Sequence, residues 1–77
     1  MDKKVVLDRY YLDCRCMLLE IAATLDRYDR APLPRGESKP VDKRLAQLGQ
    51  VIAILAQTES QPDRTERILN LLSDPAV

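Results

Sequence analysis

Apolar residues return at helical spacing through most of the 77-residue chain, and no stretch alternates convincingly as a strand. The pattern predicts three helices. The first covers residues 3–30, contains neither Gly nor Pro, and is preceded by Asp2 as its cap. Its length would be about 42 Å. Pro32, Pro34, Gly36 and Pro40 end it and make residues 31–40 the connection. The second helix is expected over 41–57 and the third over 62–73, with a turn at 58–61 between them. Pro62 suits a first-turn position, Ser60 with Asp63 resembles a capping box, and Asp74-Pro75 stops the chain's last helix.

The first helix carries two apolar faces. At 100° per residue, Leu7, Tyr10, Tyr11, Cys14, Met17, Leu18, Ile21, Ala22, Leu25 and Tyr28 cover a broad face of about 140°. A narrow strip of Val5, Leu12, Cys16, Leu19 and Ala23 lies roughly opposite, bordered by Asp8, Arg15 and Asp26 on one side and Arg9, Asp13, Glu20 and Arg27 on the other. The broad face reads as core, covered by the two shorter helices folded back across it. The narrow strip then needs another partner, most simply a second copy of the chain. The expected architecture is therefore an all-α single domain, residues 1–77, with one long N-terminal helix and two shorter ones. Homodimerisation completes this three-helix unit into a bundle, with the long helices antiparallel. Leu7-Asp8-Arg9-Tyr10 recurs as Leu25-Asp26-Arg27-Tyr28 after five turns, which a long amphipathic helix reuses without any functional motif being implied.

In the second helix, Val41, Leu45, Leu48, Val51, Ile52 and Leu55 form the expected buried face, and Ala46, Gly49, Ala53 and Ala56 form a stripe of small residues beside it. An interior helical Gly costs about 1 kcal/mol relative to Ala, so Gly49 suggests close approach by another backbone. Ile54 falls on the far side and is expected to be exposed. The third helix offers Ile68, Leu69, Leu71 and Leu72, too little to hold twelve residues helical without docking.

Composition narrows the chemistry. The chain has 12 Lys+Arg, 12 Asp+Glu and no His, so it lacks the commonest acid–base group near neutral pH and the commonest transition-metal ligand. The balanced charge gives no general excess of cations for a phosphate backbone. Cys14 and Cys16 project about 200° apart in a helix, which excludes joint chelation or a disulfide there, and they read as small buried thiols. Tyr10, Tyr11 and Tyr28 read as core-edge rings with wet hydroxyls. The segment Met1-Asp2-Lys3-Lys4-Val5-Val6-Leu7-Asp8-Arg9 lacks the apolar run of a secretory signal, and no span crosses a bilayer, so a cytoplasmic location is the expectation.

With no nucleophile elbow, phosphate loop or metal spacing present, the expected function is a small non-enzymatic protein–protein interaction or scaffold domain without cofactor or metal. Two alternatives stand beside it. The last two helices have the length of a helix-turn-helix, although Asp63, Arg64, Glu66, Arg67 and Asn70 carry no net charge for a DNA groove, so nucleic acid is not the expected partner. Arg9, Asp13, Glu20 and Arg27 form a charged stripe that could take a small ligand or cation. The ordinary reading of that stripe is solvated ion pairing, Arg9 with Asp13 and elsewhere Asp26 with Arg30 and Asp63 with Arg67.

Overall fold

The computed structural model describes residues 1–39, 42–58 and 61–73. They form three α-helices, α1 (Lys3–Arg30), α2 (Lys43–Leu55) and α3 (Arg64–Leu72), with no strand among the described residues. Val41, Ser60 and Asp74-Pro75, to which the sequence assigned a helix start, a cap and a stop, lie outside the described residues, as do Pro40 and Glu59. The chain divides into two compact units, Met1–Glu37 and Ser38–Val77.

The first unit is α1 and the turn that follows. Asp2 sits in extended backbone and its carboxylate accepts from the Val5 N–H at 2.9 Å, satisfying one of the free donors at the helix start. Helical residues then run unbroken for 28 positions to Arg30, where the Ala31 N–H closes the last turn on the carbonyls of Arg27 and Tyr28. Arg27 and Arg30 lie at the end where the helix dipole favours cations. Beyond it, the Glu37 N–H donates to the Pro34 carbonyl at 3.0 Å, with Gly36 at φ +88° between them. A positive φ at the third residue of a four-residue turn is the mark of type II geometry, and it is the place in this unit where Gly is required.

The second unit pairs α2 with α3. Both helices are shorter than their sequence pattern suggests, and in both cases an Asp marks the difference. Asp42 occupies the cap position of α2 and accepts from the Arg44 N–H at 2.9 Å, and the helix begins at Lys43. Asp63 occupies the cap position of α3, leaving Pro62 before the helix instead of in its first turn. The Asp63 side chain makes no capping bond, and its Oδ1 is buried without a partner.

The face that α2 turns to α3 differs from the one expected. Its half-buried positions are Gln47, Val51 and Ile54, spaced i, i+4 and i+7. Those of α3 are Arg64, Arg67, Ile68 and Leu71, and the two helices are in contact. Ile54, expected outside, thus belongs to the seam, while Leu45, Leu48, Ile52 and Leu55 stay exposed. The shift follows from the docking of α3: the 3.6-residue pattern marks an apolar arc on α2, and its neighbour selects which edge of that arc is covered. The Gln47 Nε2 donates across the seam to the Leu71 carbonyl at 3.4 Å. Gly49 does not mark a close approach, since a Cβ built there meets no atom within 4 Å. No residue among those described is fully buried.

Candidate interaction surface

The apolar strip and the charged stripe that the sequence marked both lie on α1. Its 28 residues are the sole helix of their unit, so no other helix within that unit covers either apolar face. On the narrow strip, Leu12 is 63% exposed and Leu19 55%, and Val5, Cys16 and Ala23 are exposed with them. On the broad face, Leu7 is 64% exposed and Leu18 59%, with Tyr10, Tyr11, Met17, Ile21 and Tyr28 also open. Leu25 alone is half-buried on this helix. The two cysteines are free and exposed, which corrects their reading as buried thiols. The tyrosine rings are likewise open, Tyr11 more than Tyr10 and Tyr28, where buried rings with wet hydroxyls were expected. One cause explains both: burial of side chains on a helix needs a second element, and this unit has none.

The charged stripe Arg9, Asp13, Glu20 and Arg27 does not close into a site. All four are exposed, and no cluster of three or more carboxylate or thiol ligands suited to a metal occurs among the described residues. The expected pairs Arg9 with Asp13, Asp26 with Arg30, and Asp63 with Arg67 are not among the ion pairs of the described residues. Those pairs are Lys4–Asp8 at 3.0 Å and Asp42–Arg44 at 2.6 Å. An exposed pair gains about 0.2–1 kcal/mol at best and loses side-chain freedom, so spacing alone does not enforce it.

Two polar arrangements on the second unit were not legible as such. At the start of α2, Arg44 returns both Nε and Nη2 to the Asp42 carboxylate, at 2.9 and 2.6 Å to its two oxygens. That bidentate contact holds the Asp42 carboxyl well below the usual range, from 3.8 to about 2. At the other end, Gln57 receives two arginines of α3. Arg64 donates from Nη2 to its backbone carbonyl and Arg67 from Nη1 to its Oε1 at 2.7 Å. The sequence signal for the first was an Asp two residues before an Arg at a cap. The second joins residues ten apart across a turn and leaves no periodic trace.

Comparison of the chain with models of protein families, with curated proteins and with solved structures gives no match. No described helix is long and apolar enough to cross a membrane.

Proposed function

We propose that the chain is a small, non-enzymatic helical interaction or scaffold domain, with α1 as its contact element and a second copy of the chain as its first partner. The observation that carries the reading is the exposure of large apolar side chains on both faces of one 28-residue helix, Leu7 and Leu18 on one and Leu12 and Leu19 on the other. Monomeric proteins rarely leave contiguous apolar surface of this extent open, and where they do it marks an interaction site. Val5, Leu12, Cys16, Leu19 and Ala23 form one contact face of that helix and the broad face forms the other. A single amphipathic helix standing in water gains little from its own hydrogen bonds and is ordered by what packs on it.

The DNA-associated alternative loses support from the second unit. Arg64 and Arg67, which a groove-reading α3 would extend toward bases or phosphates, are turned back onto Gln57. The ligand-binding alternative loses support from the open, unconverged stripe of Arg9, Asp13, Glu20 and Arg27. Analytical ultracentrifugation of the full chain tests the proposal. A dimer that dissociates on dilution is expected, together with loss of helical circular dichroism as it dissociates. A concentration-independent monomer with full helicity would contradict it.

A further inference from the structure

The broad face of α1 repeats every seven residues. Tyr11, Leu18 and Leu25 occupy one position of the heptad. Leu7, Cys14, Ile21 and Tyr28 occupy another, each of the first three set four residues before a member of the first set. This is the a/d spacing of a coiled-coil seam, and it holds from Leu7 to Tyr28 without interruption. A straight helix drifts by about 20° per heptad against such a repeat, so a strict one suits a second helix lying alongside for the same length. At 13 and 9 residues, α2 and α3 span about 20 and 14 Å. The described helix that matches the seam is α1 itself.

We infer that the broad face is a self-pairing seam, in which two α1 helices lie antiparallel with the partner's Leu25 against Leu7 and the partner's Leu18 against Cys14. This rests on the reading that the chain associates through α1, and it names the face and the register. The two-fold axis then falls level with Cys16, whose side chain points to the opposite face, and the two helices overlap along nearly their whole length.

Two features favour the antiparallel arrangement. Lys4 takes the next heptad position toward the N-terminus from Tyr11. In a parallel pair the two Lys4 ammonium groups would face each other; antiparallel, each meets the partner's Tyr28 ring and lies beside the partner's Asp29. The seam also sets small against large at its centre, with the thiol of Cys14 opposite a leucine in two adjacent layers. A parallel pair would stack Cys14 on its own copy and leave that layer thin. Arg15 faces its own mate near the axis, an exposed like-charge contact that salt screens. The narrow strip of Val5, Leu12, Cys16, Leu19 and Ala23 ends on the outside of the pair.

Disulfide trapping tests the register. In the full chain, Cys14→Ser and Cys16→Ser remove the native thiols, and Leu7→Cys and Leu25→Cys are added singly and together. Mild oxidation is expected to give a covalent dimer from the double cysteine variant and none from either single one. A covalent dimer from Leu7→Cys alone would show parallel pairing and overturn the inference. A chain that sediments as a dimer but does not cross-link through the double variant pairs by another face; the inference then fails while self-association stands. A monomeric native chain removes both. Because truncating leucines weakens the seam itself, a second pair of variants supplies an independent reading. Leu18→Glu and Ile21→Glu are each expected to convert dimer to monomer, and a dimer that survives both would sink the broad-face seam.

Discussion

Arg67 of α3 donates from Nη1 to Oε1 of Gln57 at 2.7 Å, and Arg64, one turn earlier, reaches the backbone carbonyl of the same residue. The end of α2 is thereby held by the start of α3. Gln57→Ala removes the first of these contacts and leaves the carbonyl for the second. It is expected to weaken the α2–α3 pair by about 1 kcal/mol, seen as roughly fivefold faster amide exchange in α3. Unchanged exchange in α3 would show that the contact carries no stability.

The Asp42 carboxyl should titrate near pH 2. Its folded value is lowered from 3.8 by the Arg44 side chain and backbone N–H, so its contribution is complete above the ordinary value and is lost as pH falls through about 2. Carbon-detected NMR of the carboxylate follows this directly, and the fraying of the first turn of α2 is expected in the same window, between about pH 4 and 2. Arg44→Gln should return Asp42 to the ordinary carboxylate range. A titration near 4 in the native chain would mean that the bidentate pair does not persist in solution.

The two glycines should respond with opposite signs. Gly49 sits inside α2 with open space where a Cβ would stand, so Gly49→Ala is expected to stabilise that helix by about 0.5–1 kcal/mol. Gly36 holds φ +88°, and Gly36→Ala is expected to cost the turn about 1 kcal/mol even though nothing crowds it. Thermal melts monitored by circular dichroism, with amide exchange to localise the change, read both. A destabilising Gly49→Ala would reveal a backbone neighbour absent from this structure.

The cap of α1 gives a further expected loss. Asp2→Ala removes the acceptor for the Val5 N–H and should reduce helix stability by about 1 kcal/mol, with Asp2→Asn largely restoring it. Far-ultraviolet circular dichroism at matched concentration distinguishes these; equal helicity in all three would show that the helix start is fixed by other contacts.

The long helix was legible from end to end. Residues 3–30 contain no breaker, Asp2 stands where a cap belongs, and Pro32 and Pro34 follow the last turn, so local chemistry alone fixes both ends. The shorter helices were legible as helices but not in their limits or packing. Asp42 and Asp63 serve as cap positions, which periodicity does not register, and Ile54 is covered because α3 lies against that edge of α2. The exposure of Cys14, Cys16 and the tyrosines has the same origin. Periodicity says that a face is apolar; it does not say what covers it. The Gln57 junction depends on the path of the turn between α2 and α3, which no spacing encodes.

Self-association through α1 is the claim on which the functional reading stands, and sedimentation of the unmodified full chain across a concentration series reaches it most directly. The expected result is a mass of twice the 8.8 kDa chain at tens of micromolar, falling toward the single-chain mass on dilution with parallel loss of helicity. A fully helical species of single-chain mass throughout the series would contradict it.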